Sequence, residues 1–100
     1  MEIRTTDIFD KWLRNLADTV GKFRIDARIR LLEEGAFGDV KHVGGNVYEM
    51  RVHHGPGYRV YYTRVGNQII VLLCGGDKST QRSDIAEAKT MAKEWSTDGT

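Results

Sequence analysis

The hydrophobic positions of this chain repeat with a helical period towards both ends and with a strand period in between. Phe9, Trp12, Leu13, Leu16 and Val20 recur at steps of three or four, and Thr5 or Thr6 precedes them as an N-cap, with Asp7 and Asp10 in the first turn. Gly21 offers a stop, so the pattern predicts a first helix over residues 7–20. The next segment fits two periods, because Phe23, Ile25, Ala27, Ile29 and Leu31 alternate while Ile25, Ile29 and Leu32 share a helical face. With no turn signal before Gly35 the stretch reads as a second helix, forming an antiparallel hairpin with the first. Before both, Glu2-Ile3-Arg4 alternates as a short edge strand would.

A loop containing Gly38-Asp39 and Gly44-Gly45-Asn46 leads into strand periodicity. Residues 47–53 read as a strand, His54-Gly55-Pro56-Gly57 as its turn, residues 58–64 as the returning strand and Gly66-Asn67 as the next hairpin turn. The apolar run from Gln68 to Cys74 reads as a buried strand, rich in β-branched residues. Alternation puts Met50 and Val52 on one face and Glu49, Arg51 and His53 on the other; in the partner strand Val60 and Tyr62 point inward while Arg59, Tyr61 and Thr63 point away. Arg51, His53, Arg59 and Tyr61 are therefore expected on one polar surface. Ile85, Ala88, Ala92 and Trp95 mark a carboxy-terminal amphipathic helix, and residues 96–100 a frayed end. No repeat or linker divides the chain, so residues 1–100 are expected to form a single α+β domain.

Composition supports one small core: 100 residues are 40% hydrophobic and 29% charged. No stretch approaches the roughly 18 apolar residues of a membrane span, and the chain is expected to be cytoplasmic with no membrane partner. The lone Cys74 has no internal disulfide partner and reads as a small buried hydrophobe rather than a reactive thiol. The net charge of +1 hides an uneven distribution: residues 40–82 carry six Lys or Arg against two acids, while residues 1–39 and 83–100 are each net acidic. All three histidines also fall in the basic block. That block suits a polyanion site, or an ordinary solvated sheet face.

The two most specific motifs are Gly55-Pro56-Gly57-Tyr58-Arg59-Val60-Tyr61-Tyr62 and Gly75-Gly76-Asp77-Lys78-Ser79-Thr80-Gln81. They should lie on adjacent strands, so that Arg59 and Lys78 converge on one anion. The second has a Lys-Ser pair without the upstream glycine of a nucleotide-binding loop, and no metal-ligand spacing or cofactor motif is present. Arg51, Arg59 and Lys78 suit phosphate. His53 and His54 are the side chains with ordinary pKa values near neutrality and hence the candidates for proton transfer, unless they merely close the strand at its turn. Tyr58, Tyr61 and Tyr62 are either base-stacking platforms or core. Glu49 is a base or, preferably, the ion-pair partner of Arg51 or Arg59.

These motifs, together with Val47-Tyr48-Glu49-Met50-Arg51, Asp84-Ile85-Ala86-Glu87-Ala88, Phe9, Trp12, Leu13, Arg28-Ile29 and Gly38-Asp39-Val40, resemble the addiction module killer branch of the RelE/ParE toxin superfamily. The resemblance spans nearly the whole chain. It implies an α+β fold with two amino-terminal helices packed on a twisted antiparallel sheet and a carboxy-terminal helix alongside. It implies the toxin of a type II toxin-antitoxin pair: a metal-independent, ribosome-dependent messenger RNA endoribonuclease, in which Arg51, Arg59 and Lys78 match the catalytic cationic positions, with His53 and His54, or Asp84, as the candidates to take the proton-transfer role. Arg51, Arg59, Tyr61, Lys78 and Arg82 are the RNA-binding candidates. Implied partners are a cognate antitoxin of helix-turn-helix type encoded next door, the ribosome and its message, and operator DNA only through the antitoxin complex. The chain departs from the pattern in having Glu49 at a basic position and no tyrosine around Asp84. The alternatives are a ParE-like poison of DNA gyrase without nuclease activity, or an inactive antitoxin-binding module.

Overall fold

The computed structural model describes residues 1–95, so the frayed end expected at residues 96–100 lies outside the described residues. In order come β1 (Glu2–Thr5), α1 (Asp7–Arg14), α2 (Thr19–Glu33), β2 (Val40–Gly44), β3 (Val47–Val52), β4 (Tyr58–Val65), β5 (Ile69–Gly76) and α3 (Gln81–Ala92). Single 3-10 turns occupy Lys78–Thr80 and Lys93–Trp95. The five strands form one sheet in the order β1-β5-β4-β3-β2, antiparallel except where the edge strand β1 runs parallel to β5. The expected α+β architecture is present, with a mixed sheet rather than a purely antiparallel one.

Helices cover both faces of this sheet. Phe9 of α1 and Ile25 and Leu32 of α2 pack with Met50, Val52, Val60, Tyr62, Ile70 and Leu72 on one side. Ala88 and Ala92 of α3 pack with Val47, Tyr61, Val71, Leu73 and Cys74 on the other. One residue of β5 breaks strict alternation: Tyr61 pairs with Cys74 but Tyr62 pairs with Leu72, leaving Leu73 as a bulge. Leu73 and Cys74 consequently face the same helix. The bulged carbonyl of Leu73 accepts a 2.6 Å hydrogen bond from the Thr6 hydroxyl, which also accepts from the Phe9 amide as the N-cap of α1.

Three elements differ from the sequence expectation. The first helix ends at Arg14, not near Val20, because Asp18 starts a new helix by accepting from the Gly21 amide at 2.9 Å. Gly21 is therefore no helix stop; it is buried in the first turn of α2, where a Cβ would stand 2.5 Å from the Tyr58 ring. The stretch containing His42, expected as loop, is the edge strand β2, paired with β3 and turned at Gly44 and Gly45, both with positive φ. Thirdly, the surface expected to be polar lies partly beneath α3, which buries Glu49, Tyr61 and Thr63.

Candidate anion-binding groove

The β3–β4 connection is a tight turn in which the His54 amide donates to Val52 and the Gly57 amide to His54. Gly55 and Gly57 hold φ at 57° and 81°, a region open to glycine and strained for other residues. The turn forms one wall of an open groove of about 480 Å³ lined by His53, His54, Gly55, Pro56, Gly57, Arg59 and Lys78. Arg59 of β4 pairs with Gly76 of β5, and Lys78 follows just beyond the strand end. Lys78 is fixed by its neighbour: Asp77 accepts from the Ser79 amide at 2.8 Å and caps the 3-10 turn that Lys78 opens. The Ser79 hydroxyl and amide hold the Asp77 carboxyl below the usual carboxylate range. Lys78 itself is exposed and makes no ion pair among the described residues.

Behind the groove the charges are organised by Glu49, which is 0% exposed. Arg51 and Arg59 stand directly opposite each other on β3 and β4, an arrangement that repels unless a counter-charge intervenes. Glu49 supplies it, accepting from Arg51 Nε at 3.0 Å and lying 3.5 Å from Arg59 Nε. The Tyr61 hydroxyl and the Gln81 side chain of α3 donate to the other carboxylate oxygen at 3.1 and 2.8 Å. Burial alone would raise the Glu49 carboxyl, but hydrogen bonds from Gln81, Arg51 and Tyr61 and the charge on Arg59 outweigh it and hold the pKa below the ordinary value. Arg59 is only 13% exposed at its side chain; its Nη1 donates to the Gly57 carbonyl at 2.9 Å, and its Nε has no hydrogen-bond partner among the described residues.

Both histidines of the groove are held by carboxylates. His53 Nε2 meets Asp39, and His54 Nε2 lies 3.5 Å from Asp18. Asp18 also accepts from the Tyr58 hydroxyl at 2.8 Å, so one side chain caps α2, anchors β4 and steadies the turn. The Gly21 amide and then Tyr58 draw the Asp18 carboxyl below its usual range, and the bond to His53 does the same for Asp39. Arg28 of α2 ties the Asp39 loop to β3 by donating to the carbonyls of Arg51, Phe37 and Asp39. A carboxylate on one ring nitrogen orients the imidazole and leaves the other nitrogen to exchange a proton.

Residues 11–96 match the family described as phage-derived protein Gp49-like (DUF891). The chain belongs to this family. An uncharacterized protein of Haemophilus influenzae is 47% identical to it over 94 residues, covering 94% of this chain and 95% of the relative. Among solved structures, the E. coli toxin RelE, as an arginine-to-alanine double mutant in the free state, superposes with a TM-score of 0.68 at 15% identity, over 89% of this chain and 93% of that one. The intact E. coli RelBE toxin-antitoxin complex gives a TM-score of 0.59 at 19% identity, over 76% and 94%. The Gp49-like chain thus has the RelE fold, and the superfamily resemblance carried by its motifs agrees with both findings.

Within this Gp49-like chain, four of the site residues expected from sequence meet in the groove: His53, His54, Arg59 and Lys78. Arg51 joins them indirectly through Glu49. Arg82 is exposed in the first turn of α3 and is not among the groove's walls. Tyr61 is a correction: it is 0% exposed under α3 with its hydroxyl spent on Glu49, so it presents no face on which a base can stack. Burial, followed by the Glu49 charge, raises its phenol well above the ordinary value. The sequence reading missed Asp18 and Asp39 as partners of the histidines; the N-cap position of the first and the Gly38-Asp39 turn of the second were the available signals. Cys74 is buried, and that burial pushes its thiol up to about 12. Among the described residues no three His, Cys, Asp or Glu side chains converge as metal ligands would, and no helix is long and apolar enough to cross a membrane.

Proposed function

We propose that this Gp49-like chain is the toxin of a type II toxin-antitoxin pair and cleaves messenger RNA in the ribosome without a metal. The carrying observation is the groove in which His53, His54, Arg59 and Lys78 stand together. Cleavage by the 2′-hydroxyl requires removal of its proton, stabilisation of charge on phosphorus and protonation of the leaving oxygen. Lys78 is the exposed cation for the phosphate, and Arg59, backed by Glu49 and the Gly57 carbonyl, is the preset one. His53 and His54, each oriented by a carboxylate, serve as base and acid. Arg51 and Arg82 extend the positive surface for the flanking strand. A cognate antitoxin of helix-turn-helix type silences the protein and brings the pair to operator DNA.

Inducing the chain and mapping 5′ ends of cellular messages tests this reading. Breaks in register with ribosome-bound frames support it; growth arrest with intact messages removes it. A second reading, a non-enzymatic gyrase poison, is favoured by the absence of a tyrosine around Asp84 and by Glu49 occupying the centre of the basic cluster. DNA breaks with intact RNA would select that reading, and expression without effect on growth would select an inactive antitoxin-binding module.

A further inference from the structure

Of the four large hydrophobic residues that stand exposed among the described residues, three lie on α2: Phe23 at 70%, Val20 at 52% and Leu31 at 42%. With Ala27 they fall at successive steps of three, four and four residues, which at 3.6 residues per turn makes one continuous stripe. Gly21, Ile25, Ile29 and Leu32 form the opposite, core-facing stripe, so α2 is apolar on two sides and only one is covered. An uncovered stripe of this length marks an interaction surface.

The charges beside the stripe select its occupant. Arg24 and Arg30 flank it on either edge, both exposed and neither in an ion pair among the described residues, while Asp26 and Glu33 lie further round the helix. Two copies pairing this face about a two-fold axis would bring like-charged arginine edges together. An apolar ridge bordered by acids fits instead. Beside the stripe, a groove of about 340 Å³ lined by Arg24, Ala27, Arg28, Val52 and His53 carries the surface across to β3. His53 also lines the anion-binding groove, so the two depressions share that residue.

We propose that the outward face of α2 docks an amphipathic helix with acidic flanks, supplied by the antitoxin, and that the seated helix reaches over His53 at the rim of the anion-binding groove. This rests on the toxin reading above. It gives silencing a route other than direct neutralisation of Lys78: the partner is anchored on α2 and covers the groove from its histidine side.

The test uses the full chain and the purified product of the adjacent reading frame, with affinity measured by calorimetry and backbone protection by amide hydrogen exchange. Binding of the unaltered chain with slowed exchange across α2 is expected. Phe23→Glu should weaken binding by about thirtyfold or more, as for a central apolar anchor. Arg24→Glu with Arg30→Glu should weaken it and flatten its salt dependence. Each of these side chains is exposed, so unchanged thermal unfolding confirms an intact fold. A complex of equal affinity in every variant, with α2 amides unprotected, overturns the docking surface and leaves the toxin reading standing. A free chain that sediments as a dimer and becomes monomeric on Phe23→Glu overturns it in favour of a second copy. No complex with the neighbouring product removes the toxin-antitoxin reading and this surface with it.

Discussion

The carboxylate of Asp84, on α3, occupies the space directly above Gly76 of β5, where any Cβ would overlap it and would come within 2.7 Å of the Thr80 hydroxyl. Thr80 donates to the same carboxylate at 2.6 Å, so the start of α3 is tied down over a position that only glycine leaves open. Gly76→Ala is expected to push Asp84 and Thr80 aside at a cost of about 1–3 kcal/mol. Gly75 faces the other way, and a Cβ there would overlap the Trp12 ring. A ring wedged between Phe9 and Tyr58 yields less readily than a carboxylate, so Gly75→Ala should be the more damaging of the two. Thermal unfolding of the two variants measures the order.

Glu49→Ala should be among the most destabilising single changes, because it leaves Arg51 and Arg59 opposed without their shared counter-charge. Breaking a buried pair in this way costs about 3–5 kcal/mol. Gln81→Ala removes one hydrogen bond to the carboxylate and should cost about 1.5–3 kcal/mol. Since the folded-state pKa of Glu49 lies below its unfolded value, its contribution is complete above the unfolded pKa of about 4.3 and is lost as pH falls through the folded one. Denaturant titrations at stepped acidic pH should show falling stability in the native chain and a weaker dependence in Glu49→Gln.

Lys78 and Arg59 should separate binding from folding. Lys78→Ala is expected to hold stability within about 0.5 kcal/mol, as for an exposed side chain, while lowering RNA affinity and reducing the salt slope by about one. Arg59→Ala should lower both affinity and stability, because its guanidinium is also a partner of Glu49. Salt-dependent RNA binding alongside melting curves distinguishes them; an equal loss of stability in both variants would show that Lys78 is structural.

Alkali should test the buried phenols. Tyr58, raised by burial and by its bond to Asp18, and Tyr62, raised by burial, are pushed up to about 12. A raised folded pKa favours the native state below the unfolded value of about 10, and that advantage disappears as pH rises through about 12. Ultraviolet titration should therefore show phenols that ionise only near pH 12 or with unfolding. Tyr58→Phe should release one such group and loosen the start of α2.

The strands from Val47 to Gly76 were legible because apolar alternation, glycine turns and a β-branched run agree along their length. β2 was not, since Val40–Gly44 has only two large apolar residues and sits between glycines. The α1 boundary was hidden because Leu16 and Val20 continue the helical spacing beyond Arg14, while the capping power of Asp18 depends on geometry that apolar spacing does not register. At the site, alternation correctly grouped Glu49, Arg51, Arg59 and Tyr61, but periodicity along one strand says nothing about which helix comes to rest on that face. The arrival of α3 turns Tyr61 from a surface ring into a buried donor. It also makes Glu49 a hub rather than a neighbour.

The bulge at Leu73 gives the length of β5 a meaning independent of its composition. Pairing Tyr61 with Cys74 and Tyr62 with Leu72 offsets everything downstream by one pleat, which points Gly75 at Trp12, Gly76 at Asp84 and delivers Lys78 beside Arg59. A chain with Leu73 deleted would keep those pairings in unbroken alternation and lose only the extra carbonyl that fastens Thr6, and with it the cap of α1, to the sheet.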